Sequence, residues 1–217
     1  EGLFNFDIYN DIKVSSSSAQ TPFVQVNAFN KASFFTEDDA AYLEGESYKQ
    51  LYLTEIRPEL LHKPLDLSQN NSRGQRQRRL DPKSPTYNPV ADELNYTHRN
   101  AHCKGILEEI LDSFQDQVTR VRLAYLAPHF AIKPHVDYDP SYITRYHIPI
   151  VTNPECYMKV FRADQIHETH FVADGSVYFL NAGLKHCAEN RSDLPRLHLI
   201  VDVHGLKDLS HVRSFET

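Results

Sequence analysis

No segment of this chain strings together the roughly 18 apolar residues that a bilayer-crossing helix requires, and Glu1-Gly2-Leu3-Phe4-Asn5-Phe6 lacks a basic stretch leading into an apolar one. A membrane is therefore not an expected partner, and the cytoplasm is the expected location. Cysteine is scarce. Cys103, Cys156 and Cys187 are odd in number and none forms a CxxC pair, which suits reduced thiols better than a disulfide framework. Basic charge is not in excess either: the net charge of -6 and pI near 6.0 give no general pull toward phosphate backbones, so no nucleic-acid partner is expected. There is no GxGxxG, P-loop or GxSxG element and no internal repeat, which leaves nucleotide-binding and serine-hydrolase readings without local support.

What is present suits one domain: 217 residues, 41% hydrophobic and 24% charged, are enough for one sizeable core. Residues 1–97 read as an N-terminal α/β elaboration of that domain, with a short strand at Phe23-Val24-Gln25-Val26 and a helix start at Thr36-Glu37-Asp38-Asp39. A polar loop at about 65–90 carries Arg73, Arg76, Arg78 and Arg79. Such loops serve as lids or binding segments in some proteins, but a solvated charged loop is the default reading. From His98 to Gln115 the apolar positions Cys103, Ile106, Leu107, Ile110, Leu111 and Phe114 recur at three and four residues, the pattern of an amphipathic helix against a sheet. The period then switches to two, with strand-like runs at 118–126, 131–138, 143–151, 156–162, 168–172, 176–181 and 195–203. Residues 98–217 are therefore expected to be a support helix and a β-barrel or sandwich core, mainly β with flanking helices.

Within this region stands His135-Val136-Asp137, followed by His186 and Arg196. Two imidazoles and one carboxylate can hold Fe(II) on one face of its octahedron and leave three positions open. Alternate residues of an extended strand share a face, so His135 and Asp137 would point at one spot. With 12 histidines in the chain, a lone His-x-Asp arises by chance, and the later residues give it meaning. Arg145 and His147 share one face of their run, Tyr146 and Ile148 the other; Arg196 and His198 repeat the pattern among aliphatic neighbours. A guanidinium directed into a barrel costs several kcal/mol unless it meets an anion, which a small dicarboxylate cosubstrate would supply. Asn181-Ala182-Gly183-Leu184-Lys185-His186 follows a strand-like run, placing His186 at or just past a turn. Cys187 reads as a small buried hydrophobe, because sequence neighbours rarely reach one metal together.

The stretch from about 118 to 204, some 40% of the chain, resembles the aspartyl/asparaginyl β-hydroxylase-like branch of the Fe(II)/2-oxoglutarate oxygenases. The resemblance lies in Arg122-Leu123, Pro128, Pro134-His135, Arg145-x-His147-Ile148-Pro149, Asn153-Pro154, Asp174-Gly175-Ser176, Asn181, His186-x-x-x-Asn190-Arg191 and Arg196-x-His198-Leu199-Ile200-x-Asp202, in the family's order. It implies a double-stranded β-helix (jelly-roll, cupin-like) core, iron held by His135 and His186, and the far carboxylate of 2-oxoglutarate on Arg196. Arg145 and His147 match positions near the carboxylate beside the keto group. Asp137 departs from animal-type members, which have glycine there, and the full triad instead resembles bacterial cis-proline hydroxylase-like members. The family's serine for the far carboxylate aligns with Ala124, so that contact is absent or replaced by Tyr125 or another hydroxyl.

The resulting expectation is an Fe(II)- and 2-oxoglutarate-dependent dioxygenase. With O2 as a further cosubstrate, it would hydroxylate a free amino acid or related small molecule and release succinate and carbon dioxide. The alternatives are hydroxylation of an Asp, Asn or other side chain within a peptide or protein, with the arginine loop as docking groove, and a metal-binding cupin-like module without oxygenase activity. The latter has no specific use for Arg145 and Arg196 together. No feature of the sequence specifies the oligomeric state.

Overall fold

Two antiparallel sheets face one another in the strand order of a double-stranded β-helix. A computed structural model describes residues 47–60, 83, 89–162 and 165–211; the strand expected at 23–26, the helix start at 36–39 and the arginine loop 73–79 lie outside the described residues. The larger sheet runs β1 (Tyr48–Tyr52), β4 (Gln117–Leu126), β11 (Arg196–His204), β6 (Thr144–Val151), β9 (Tyr178–Leu180). The smaller runs β5 (Phe130–Ala131), β10 (Lys185–Asn190), β7 (Cys156–Arg162), β8 (Gln165–Thr169), and β2 (Thr54–Glu55) pairs with β3 (His98–Arg99) as a separate ribbon. Because β1 is hydrogen-bonded to β4, the larger sheet takes its edge strand from the segment before residue 98.

Period-two alternation sorts the larger sheet's side chains into two layers. Leu123, Tyr146, Ile148, Leu197, Leu199, Val201 and Val203 face outward and bury against Leu107, Ile110 and Leu111 of helix α1 (Ile106–Asp112), each side chain contributing about 1.5–3 kcal/mol. Between the sheets Leu126, Met158, Val160, Phe171, Tyr178, Leu180 and Ala188 form a second cluster. The three cysteines are free and buried.

Three sequence expectations are corrected. The helix begins at Ile106 rather than near His98, because His98 and Arg99 are drawn into pairing with β2 and Gly105, at φ +58°, breaks the chain direction at its N-cap. The run 131–138 is a strand only at its start: Pro134 has no N–H for a ladder, and beyond it pairing is confined to a bridge between His135 and His186. Conversely, Lys185–Asn190 is a full strand, six residues in register with β7, although its composition carries no strand period.

One irregularity matters for the cavity. Between Ile200 and Asp202 of β11, the paired residue on β4 moves from Arg122 to Thr119, so β4 carries an extra residue. Arg120 takes up that β-bulge with φ +41°, a conformation uncommon outside glycine, and its N–H bonds to the Tyr96 carbonyl at 2.9 Å. Bulges re-aim side chains, and here Arg120 and Arg122 both border the cavity between the sheets.

Candidate metal centre and anion cavity

His135, Asp137 and His186 each offer a ligand atom, and these atoms lie within 4.8 Å of one another. Tertiary pairing brings them together: His135 and His186 exchange backbone hydrogen bonds of 2.9 Å in both directions, and the Asp137 N–H donates to the Ala182 carbonyl at 2.9 Å. Each imidazole is oriented by its other nitrogen. His135 Nδ1 lies 2.8 Å from the Lys133 carbonyl and His186 Nδ1 2.9 Å from that of Leu184. An Nδ1–H donor bonded to a carbonyl leaves Nε2 with a free lone pair, the arrangement that prepares a histidine for a metal. Burial first of all pushes the His186 pKa down to about 4, keeping the ring neutral. Burial would raise the Asp137 carboxyl, but the Arg145 guanidinium outweighs it and holds the group below its ordinary value. Asp137 and His186 therefore stand deprotonated at neutral pH, as ligation of a divalent ion requires.

The triad borders a cavity of about 200 Å³ that Arg196 also lines. Arg196 is only 2% exposed. Its Nη1 approaches the Met158 sulfur at 3.5 Å, its Nε has no hydrogen-bond partner, and no carboxylate pairs with it among the described residues. Burial pushes its pKa down to about 10, so it remains a cation at neutral pH. Beside it, His147 and His198 approach through their Nδ1 atoms at 3.4 Å, and the Nε2 of each is buried without a partner. Buried polar atoms in native proteins are nearly always satisfied, so the orphaned nitrogens of the cavity-lining Arg122 (Nε), His147 (Nε2) and Arg196 (Nε) mark a place for a polar, anionic guest. Tyr125 does not reach it, since it packs against the outer apolar layer with α1; the phenol bordering the cavity is Tyr48 of β1. Alternation across β1 decides this, because Tyr48 lies on the inner face beside Gln50.

Arg145, on the same inner face, is already engaged. Its Nε donates to Asp202 Oδ1 at 2.7 Å, its Nη2 to Asp202 Oδ2 at 3.0 Å, and its Nη1 to Asp137 Oδ2. Arg122 Nη1 adds a bond of 2.8 Å to Asp202 Oδ2. The inward alternation of Asp202 with Arg196 and His198 could have exposed its membership of the site in the sequence; its partners could not be read, because they lie on two other strands. Farther round the wall, Arg120 is paired with Glu93, and Gln50 hydrogen-bonds the Tyr48 and Tyr52 hydroxyls.

The two buried histidines make a prediction about acid. Burial, and then the Arg196 charge, holds the pKa of both His147 and His198 well below the ordinary value, so the folded protein keeps them neutral while the unfolded chain binds two more protons below about pH 6.5. Stability is therefore present in full above that value and falls as pH drops, by about 2.7 kcal/mol per pH unit for the pair. Urea midpoints of the metal-free protein at pH 7 and pH 5 check this; equal midpoints would refute it.

Comparison with known proteins adds a family match. A family model described as aspartyl/asparaginyl β-hydroxylase matches residues 86–205, more than half of the chain. Similar solved structures include a cupin domain from Bordetella pertussis Tohama I, 14% identical with a TM-score of 0.33 over 43% of this chain and 88% of that one. TT1209 from Thermus thermophilus is 26% identical, with a TM-score of 0.30 over 42% of this chain and 76% of that one. An oxalate oxidase in complex with the substrate analogue glycolate is 14% identical, with a TM-score of 0.32 over 41% of this chain and 43% of that one.

Proposed function

We propose that this chain, which belongs to the aspartyl/asparaginyl β-hydroxylase family and is thereby an oxygenase-type enzyme with a triad able to hold a metal, uses Fe(II), 2-oxoglutarate and O2 to hydroxylate an unactivated C–H bond. The substrate we favour is a free amino acid or a small molecule derived from one. The observation that carries the reading is Arg196: a fully buried cation with no carboxylate partner among the described residues, in the same cavity as the triad. Such a charge is costly unless an anion arrives, and a diacid that also reaches a metal answers both features at once.

The residues fit the groups proposed. Two neutral imidazoles and one ionised carboxylate are the donor set of non-haem ferrous oxygenases, with open positions left over. Arg196 presents a planar fork suited to a terminal carboxylate, and the orphaned Nε2 of the cavity-lining His147 is a polar contact for the same guest. Bound together, the ferrous ion and the 2-oxo acid supply oxygen activation coupled to oxidative decarboxylation, with succinate and carbon dioxide released. The protein holds, orients and shields these groups. Leu180, Ile132 and Ala188 contribute the apolar part of the lining and limit water. The polar wall of Gln50 and Arg120, with a cavity of about 200 Å³, suits a small polar substrate.

The test begins without oxygen. Fe(II) and 2-oxoglutarate added together are expected to give a visible charge-transfer band that neither gives alone, and aerobic screening of free amino acids is expected to find substrate-stimulated succinate release. No band, together with tight zinc binding, would sink the oxygenase reading in favour of a cupin-like binding module. Succinate release stimulated only by peptides, with a mass increase on an Asp, Asn or other side chain, would transfer the activity to a peptide or protein substrate.

A further inference from the structure

The geometry points to Arg145 as a positioning residue for Asp137, locked in place by Asp202. This rests on the reading of His135, Asp137 and His186 as metal ligands. Arg145 and Asp202 are direct cross-strand partners of β6 and β11, and the guanidinium meets the carboxylate through two bonds, Nε to Oδ1 at 2.7 Å and Nη2 to Oδ2 at 3.0 Å. Such a fork-to-fork pair fixes the plane of the guanidinium as well as its position. Asp202 is completely buried, and a second guanidinium, Arg122, donates to its Oδ2 at 2.8 Å. With both carboxylate oxygens occupied, Asp202 cannot turn away.

The remaining amino group of Arg145 extends from this anchor to Asp137 Oδ2, the oxygen that lies 3.8 Å from His135 Nε2. Asp137 sits on a segment without regular strand pairing and its side chain is partly exposed. Left alone, a carboxylate on such a loop samples several rotamers and can chelate a metal through both oxygens. Arg145 removes that freedom, leaving Asp137 as a single-oxygen ligand and keeping coordination positions open. The Nε–Nη2 edge that would otherwise grip an anionic guest is turned toward Asp202, so the charge-assisted contact with a cosubstrate falls to Arg196, whose fork has no such partner among the described residues.

The test reads metal binding alone. Co(II) is titrated into the metal-free protein, without 2-oxoglutarate, and followed by its visible d–d absorption in four proteins: parent, Arg145→Lys, Asp137→Ala and the double variant. Lysine keeps the positive charge but has no planar fork, so charge repulsion of the metal is unchanged and only orientation is lost. Arg145→Lys is expected to weaken Co(II) binding by about 10- to 100-fold, the usual range for a partner that orients a ligand, and to change the spectrum. In the Asp137→Ala background the same substitution is expected to have less than about a twofold effect, since the group it positions is gone.

Asp202→Asn, which leaves Arg145 in place but weakens its anchor, is expected to act in the same direction and carries the test if Arg145→Lys does not fold. An equal loss in both backgrounds, or no loss in either, would overturn the assignment. So would unchanged Co(II) affinity with a raised requirement for 2-oxoglutarate, which would make Arg145 a direct contact of that cosubstrate. Because 2-oxoglutarate is absent from the titration, the inference survives failure of the cosubstrate reading. A parent protein that bound no Co(II) would overturn both it and the metal reading.

Discussion

An Arg196→Met protein is expected to resist denaturant better than the parent while requiring at least about 100-fold more 2-oxoglutarate for half-maximal succinate release. The two effects share one cause. Arg196 is buried beside Met158 with its Nε unsatisfied and no carboxylate partner among the described residues, so the cosubstrate-free protein carries an uncompensated internal charge. Replacing buried charges with apolar groups of similar volume is often neutral or stabilising, by about 1–4 kcal/mol, and methionine adapts well to irregular space. The bound state loses a bidentate charge-assisted contact worth about 2–5 kcal/mol, each 1.4 kcal/mol being roughly tenfold in affinity. Urea unfolding and a 2-oxoglutarate titration of the two proteins measure both quantities. A variant less stable than the parent with an unchanged cosubstrate requirement would make Arg196 a structural residue and remove the main support for the proposed function.

The second large effect concerns the triad. His135→Ala and Asp137→Ala are each expected to reduce succinate release to the level of metal-free protein, a greater loss than the about 10- to 100-fold that follows removal of a residue merely orienting a ligand. These positions make cleaner tests than His186, because His135 and Asp137 are partly exposed whereas His186 is buried on β10. The two variants should still differ in stability. Asp137→Ala strips Arg145 Nη1 of its carboxylate, and an unsatisfied buried donor costs about 1–3 kcal/mol; His135→Ala leaves no comparable orphan. Metal content, succinate release and urea midpoints on the same preparations separate these effects. Retained metal and normal turnover in either variant would refute its role as a ligand.

Much of the inner face is legible in the amino-acid sequence. In β6 and β11 the charged and imidazole residues alternate strictly with aliphatic and aromatic ones, and a strand has only two faces, so Arg145 with His147 and Arg196 with His198 had to share a side. Asp202 follows the same alternation in β11, yet its function was hidden: its meaning comes from Arg145 and Arg122, 57 and 80 residues away, and strand register is a property of pairing. The strand carrying His186 was missed for a related reason. Lys185–Asn190 has few strand-favouring side chains, and the ladder with β7 holds it extended.

The choice between hydroxyls near Arg196 likewise depended on β1. Its register with β4 sets Tyr48 beside the cavity, while Tyr125 takes the opposite face of β4. By itself the amino-acid sequence determined the alternation, the order of the ligand-bearing segments, the mainly β class and the type of chemistry its donors allow, because these follow from local periodicity and side-chain identity. Only the tertiary structure decided which charges are cancelled and which stand alone: Arg145 faces two carboxylates and Arg196 none among the described residues. Burial raises the energy of every unpaired charge, and pairing across strands determines where each partner lies.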